Sequence, residues 1–320
     1  MFSLALLGLV ARKINWAELG VVLERLQPGW AFAGWATTFL IIAGLILRWR
    51  ILLAQQGLPV PNATVFALTW GGQFFNSILP GSTGGDVMKI YQLCRLLPDR
   101  KAAAVATVVV DRLAALVALL TLALVGFILE PVPLRLLAES GPRWTGARVA
   151  LLLGGLILAS LVMGGVAYRL LRGLSWLERL GRMLLAARTH FVLGPNLVAV
   201  CALAFAVHFI NFFVVYLFAR ALGISISYPQ ILLMMPVVLF LMLLPITING
   251  HGLRELLLIG YFKQMGIVLT GAVTSGVSEI AVALSLLLVS NDLLWSLPGG
   301  IWYFLHFRTR GKKRSESNLP

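Results

Sequence analysis

The sequence predicts an all-α polytopic membrane protein of about six to eight membrane helices, two of whose segments are re-entrant or broken. Three observations carry this expectation. First, the 320 residues are 59% hydrophobic and only 12% charged, with a mean hydropathy of +0.92, whereas a soluble chain is about a quarter charged. Second, apolar runs recur along the chain, and at about 20 residues per crossing its length accommodates that number of helices. Third, two stretches interrupt apolar runs in the same order: Leu-Pro, small or hydroxyl residues, a glycine turn, then charge. One is Gln73-Phe74-Phe75-Asn76-Ser77-Ile78-Leu79-Pro80-Gly81-Ser82-Thr83-Gly84-Gly85-Asp86-Val87-Met88-Lys89. The other is Leu244-Pro245-Ile246-Thr247-Ile248-Asn249-Gly250-His251-Gly252-Leu253-Arg254-Glu255. Proline removes a backbone donor and glycine frees the chain, so helices unwind at Pro80, Gly81, Gly84 and Gly85, and at Pro245, Gly250 and Gly252. Inside a bilayer such freed groups are tolerated only in protein or along a wet cavity.

The elements follow in order. Residues 1–11 are apolar but too short to span, and 12–28 form a mixed, amphipathic interfacial helix. Residues 30–53 span, closed at a basic end by Arg48 and Arg50. Pro59 and Pro61 make a turn, and 63–79 is re-entrant or half-spanning because it ends at the first break. A basic loop over 89–101 precedes a span at 102–129 that carries Asp111 and Arg112 within it. A mixed-charge loop over 130–148 leads to a span at 149–168 and a basic helix at 169–190, suited to an anionic leaflet. Residues 197–219 and 231–244 are read as spans, 252–265 as the second re-entrant candidate, and 268–289 and 293–307 as the last two spans.

The formal net charge of +14 falls in loops between spans and at the tail, as the positive-inside rule produces. No solvated basic domain offers itself to nucleic acid. The segments 89–101 and 169–190 and the tail can share the cytoplasmic side only if both broken segments return to the side they came from. Cys94 and Cys201 are far apart and read as plain thiols, with no disulfide or zinc spacing.

The acidic residues at membrane-embedded positions are Asp86, Asp111, Glu255, Glu279 and Asp292. A charge at the bilayer centre costs about 2.5–3.5 kcal/mol on insertion scales, so each calls for a partner or a function. Asp86 with Lys89, and Arg254 with Glu255, place opposite charges close together at the two breaks. They line a polar cavity or pair locally at the interface. Asp111 and Arg112 are adjacent and about 100° apart on a helix, so one at least needs a partner across the bundle. Glu279 sits on a small, polar face fit for close helix packing, and His208 with Asn211 reads as a structural hydrogen-bond pair. Nucleotide-binding, zinc-protease and hydrolase motifs are absent from the sequence. His251 and Glu255, an i, i+4 pair, have no third metal ligand nearby. The expectation is no metal, no cofactor and no enzyme.

Gly72-Gln73-Phe74-Phe75-Asn76-Ser77-Ile78-Leu79-Pro80-Gly81 with Gly85-Asp86 resembles the first signature of the lysylphosphatidylglycerol synthase transmembrane-region family, also described as flippase-like. Asn249-Gly250-His251-Gly252-Leu253-Arg254-Glu255 is similar to its second signature. Val110-Asp111-Arg112 and Leu297-Pro298-Gly299-Gly300 resemble weaker features, and the likeness spans essentially the whole chain. It implies residues 1–307 as a single flippase-like integral membrane domain, and the positive-inside reading makes 308–320 a basic cytoplasmic tail. Aminoacylation is not implied, because no synthase domain follows within this sequence. The functional expectation is a multi-pass protein of the cytoplasmic (inner) membrane that moves a phospholipid or polyprenyl-phosphate-linked lipid between leaflets. The substrate-binding candidates are Asn76, Asp86, Lys89, Asp111, Arg112, Asn249, His251, Arg254, Glu255 and Glu279. Lys89, Arg112 and Arg254 would attract the phosphate of an anionic or zwitterionic headgroup, with Asp86 and Glu255 holding them. Drive would come from ion coupling or the lipid gradient. The alternatives are a membrane-embedded transferase acting on a lipid-linked substrate through Asp86 or Asp111, and a non-transporting partner of a lipid-biosynthetic enzyme.

Overall fold

A computed structural model describes residues 2–79, 83–130, 195–242, 247, 249–269 and 276–316. They form ten helices, with no strand among the described residues: α1 Phe2–Lys13, α2 Trp16–Glu24, α3 Pro28–Gln55, α4 Asn62–Ile78, α5 Gly84–Leu96, α6 Lys101–Leu129, α7 Pro195–Ala221, α8 Tyr228–Met242, α9 Leu253–Met265 and α10 Val277–Glu316. Four of these, α3, α6, α7 and α10, are long and apolar enough to cross a membrane.

Helices α4 and α5 have 17 and 13 residues, about 25 and 20 Å, and neither reaches across a hydrocarbon core of about 30 Å. They fold back on one another. A Cβ added at Gly85 would stand 2.3 Å from the Gly72 carbonyl oxygen, and one at Gly84 would stand 2.6 Å from that of Phe75. Only glycine lets these backbones touch, as small residues do at membrane helix contacts. The Gly85 N–H donates to Asn76 Oδ1 at 2.7 Å, closing the hairpin near its tip. At the open end, Arg100 donates to the carbonyls of Gln56 (2.8 Å) and Gly57 (3.2 Å). The turn before α4 and the turn after α5 are thereby joined.

Helices α8 and α9, of 15 and 13 residues, make a second hairpin of the same kind. An antiparallel bridge between Ile224 and Leu269, with Ser225 N–H donating to Val268 O at 2.9 Å, ties its two ends together. Its tip turns through left-handed backbone at Asn249 (φ 47°), Gly250 (φ 73°) and Gly252 (φ 86°). Asparagine is among the few non-glycine residues that tolerate this region. In each hairpin the outer ends of the two arms thus meet.

Around the hairpins α3 lies along α7, α4 along α10, and α6 along α8. Gly126 of α6 meets the backbone of Leu232 and Leu233 so closely that a Cβ would stand 2.5 Å away. The apolar side chains divide into two clusters. One joins α1 and α2 to α7–α10 around Phe212, Phe218, Leu258 and Phe262. The other joins α3–α6 to the ends of α7 and α10 around Trp49, Leu68, Leu93 and Tyr303. At the N-terminal end of α10, the Asn15 N–H donates to Glu279 Oε1 (2.9 Å) and the Gly276 N–H to Glu18 Oε2 (3.0 Å). Glu279 thus anchors the α1–α2 turn.

Two expectations are corrected. The last two spans are one 40-residue helix: Ser290, Asn291 and Asp292 lie inside α10, and Pro298 sits within it. The polar trio was mistaken for a loop. Residues 231–244 are not a span by themselves: their described part lies in α8, of 15 residues, which serves as the first arm of the second hairpin. The span at 149–168, the basic helix at 169–190, and Pro80, Gly81 and Pro245 lie outside the described residues.

Candidate functional site

Between the two apolar clusters lies a cavity of about 450 Å³ whose walls come from α3–α8, α10 and Asn249. Its first wall is a chain of charges. Arg48, buried on α3, binds Asp111 of α6 through two hydrogen bonds, Nε to Oδ1 at 2.7 Å and Nη2 to Oδ2 at 3.0 Å. Arg112, the next residue, turns the other way and forms an ion pair with Asp86 of α5. The adjacent Asp111 and Arg112 thus take separate partners across the bundle, as their angular separation required.

Of the two readings of Asp86 and Lys89, a cavity lining or a local pair, both residues line the cavity and they are not paired with each other. Arg112 takes that carboxylate, and the Lys89 ammonium instead lies over the Trp49 ring, 4.7 Å from its centroid. Among the described residues no carboxylate reaches within 4 Å of it, although its side chain is buried. Three cations, Arg48, Lys89 and Arg112, therefore share two carboxylates on this wall. Three buried polar atoms on the cavity have no partner among the described residues: Arg48 Nη1, Thr69 Oγ1 and Ser296 Oγ. Buried polar groups of native proteins are nearly always satisfied, so such a cluster marks a place for water or a polar ligand.

A second stretch of wall carries one carboxylate, on α10. Asp292 presents a side chain that is 39% exposed. Its Oδ2 accepts from Asn249 Nδ2 at 3.4 Å and from Arg254 Nη1 at 3.5 Å. Arg254 and Glu255 stand behind this wall and do not line the cavity. Arg254 Nε donates to Ser285 Oγ (3.0 Å), and Ser285 Oγ donates to Glu255 Oε1 (2.5 Å). Glu255 Oε2 accepts the Gly252 N–H at 2.5 Å, capping α9. These two charges brace the second tip against α10.

Of the ten sequence-derived candidates, the cavity brings together Asn76, Asp86, Lys89, Asp111, Arg112 and Asn249. His251, Arg254, Glu255 and Glu279 are outside its lining. His208 and Asn211, read as a structural pair, both face it, as do Arg48, Asn291 and Asp292. Asn291 accepts from Thr38 Oγ1 at 2.9 Å, fastening α10 to α3. Arg48 was missed because it was grouped with Arg50 as the basic end of a span. Residues two positions apart on a helix point about 200° apart, so Arg48 and Arg50 face different surroundings, and this was the available signal.

A charged cavity among apolar spans and two helical hairpins defines a polytopic membrane protein. The family model described as the lysylphosphatidylglycerol synthase TM region matches residues 1–290. The chain belongs to this family, which indicates a membrane protein in lipid metabolism or transport. A search of curated proteins returned no match.

Proposed function

We propose that this protein is a lipid flippase of the cytoplasmic membrane, moving a phospholipid or polyprenyl-phosphate-linked lipid between leaflets, with its C-terminus on the cytoplasmic side. The observation that carries this reading is the unshared cation: a buried Lys89, and an Arg48 Nη1 without a partner, on a cavity inside a bundle of apolar helices. An unpaired charge in such a place is costly and marks a path for a charged substrate. A lipid phosphate supplies the missing anion, and Arg48 donates to it while still held by Asp111. Asp292, on the same cavity, suits the hydroxyl or ammonium part of a headgroup. The tails stay in the bilayer as the headgroup crosses. Arg254 and Glu255 act from behind, by fixing Asp292 and the second tip.

The test is reconstitution in vesicles with phospholipids and polyprenyl phosphates whose headgroups are open to a membrane-impermeant reagent. Wild-type protein is expected to expose inner-leaflet headgroups faster than protein-free vesicles do. A charge-assisted hydrogen bond is worth roughly 1.5–3 kcal/mol, so Lys89→Met is expected to slow the movement by about tenfold or more. Vesicles in which wild type moves none of these lipids would refute the proposal. A lipid product carrying a new covalent group would support the transferase reading instead.

A further inference from the structure

Outside the cavity, an apolar trough runs along the lipid-facing side of α3. It consists of two adjoining hollows, of about 280 and 490 Å³, that share Ile46, Arg50, Phe66 and Trp70. Its floor on α3 is a single helical stripe, Phe39, Ile42, Ala43, Ile46 and Leu47, ending at Arg50. From Phe39 to Arg50 the helix rises about 16 Å. The far side is aromatic, with Phe66 and Trp70 from α4 and Trp295 and Trp302 from α10.

Two features set this trough apart from an ordinary lipid-facing surface. One is the cation at its mouth. Arg50 is exposed, lies about a turn and a half from the end of α3, and has neither an ion pair nor a hydrogen bond among the described residues. The amide-bearing Asn62 stands beside it. The other is continuity with the cavity at the inner end, where Ile42 and Trp295 belong to both walls. The Trp295 indole donates to Trp35 O at 2.9 Å, and its own carbonyl accepts from the Trp70 indole at 2.7 Å. Trp295 is thus the partition between trough and cavity, pinned to α3 and α4 on either side.

We infer that this trough is a docking site for one anionic membrane lipid, with its phosphate on Arg50, one hydrocarbon chain along α3, and its path to the cavity past Trp295. Arg50 matches the charge of the phosphate, and the stem of arginine lies readily along apolar surface with its head at the interface. The aromatic wall takes the chain. The inference rests on the proposed function for the last of these steps, the passage into the cavity; residence in the trough stands on its own.

The experiment uses the full chain in vesicles containing phosphatidylglycerol or phosphatidylcholine with the same photoreactive group in mid-chain. Crosslinked peptides are then mapped. In wild type, phosphatidylglycerol is expected to label α3 and α4 around Ala43 and Phe66 more heavily than phosphatidylcholine does. Arg50→Gln is expected to abolish the difference between the two lipids. Ala43→Trp, which fills the trough from an exposed position, is expected to lose the labelling. Val117→Trp, on the exposed face of α6, is expected to keep it. Equal labelling of wild type by the two lipids, or labelling that survives Ala43→Trp, would mean general lipid contact and overturn the inference. Trough labelling as expected, with no transport by wild type, would refute the proposed function and leave the docking site standing.

Discussion

Replacing Asp111 by asparagine tests the logic of the buried charges most directly. Arg48 and Asp111 have side chains 3% and 7% exposed and are joined by two short hydrogen bonds. With Asp111 neutral, Arg48 keeps its charge in a buried site, and Lys89 loses a second nearby anion. Breaking a buried pair by removing one partner costs about 3–5 kcal/mol. Asp86→Asn breaks the other pair, but the Arg112 side chain is 41% exposed and water can take over. The half-exposed Arg112 side chain keeps access to water, which puts this loss below that of Asp111→Asn. The double variant Arg48→Met with Asp111→Leu removes both charges and is expected to recover most of the loss. The assay is reversible unfolding in mixed micelles of increasing denaturing-detergent fraction, followed by tryptophan fluorescence. Equal losses for Asp111→Asn and Asp86→Asn, or a double variant no better than Asp111→Asn, would refute the reasoning.

Two further outcomes follow from backbone contacts and the polar brace. Gly85→Ala places a methyl group 2.3 Å from a carbonyl oxygen of the opposing arm, while Gly72→Ala meets its nearest neighbour at 3.5 Å. Overpacking costs about 1–3 kcal/mol, so melting temperatures should fall for the first variant and barely move for the second. Ser285→Ala leaves Arg254 Nε and Glu255 Oε1 without the hydroxyl that joins them. A loss of about 1–3 kcal/mol is expected in the same unfolding assay, and an unchanged stability would show that the brace contributes nothing.

The breaks were legible because proline, glycine and charge coincide within a few residues, and in a bilayer that combination has few structural solutions. That short apolar segments flank each break was legible too, and two such short arms can only fold back on one another. Partners were not. The angle between Asp111 and Arg112 said that they need different counter-charges, but nothing local pointed to Arg48, 63 residues away, or chose Arg112 over Lys89 for Asp86. Ser290-Asn291-Asp292 misled for a related reason. Polar residues in an apolar run mark either a loop or a helix face turned to a wet interior, and only packing against α3 and the second tip decides between them. The same ambiguity hid His208 and Asn211, whose spacing fits a structural bond as well as a cavity wall.

Helix α10, at 40 residues, is about 60 Å long, roughly twice the thickness of the hydrocarbon core. It packs against α4 of the first hairpin and α9 of the second, and carries Asn291 and Asp292 at the level of the cavity between them. Pro298 divides this helix into two lengths, and since both hairpins rest on the same helix, a change in its bend at Pro298 would alter the seat of one hairpin relative to the other.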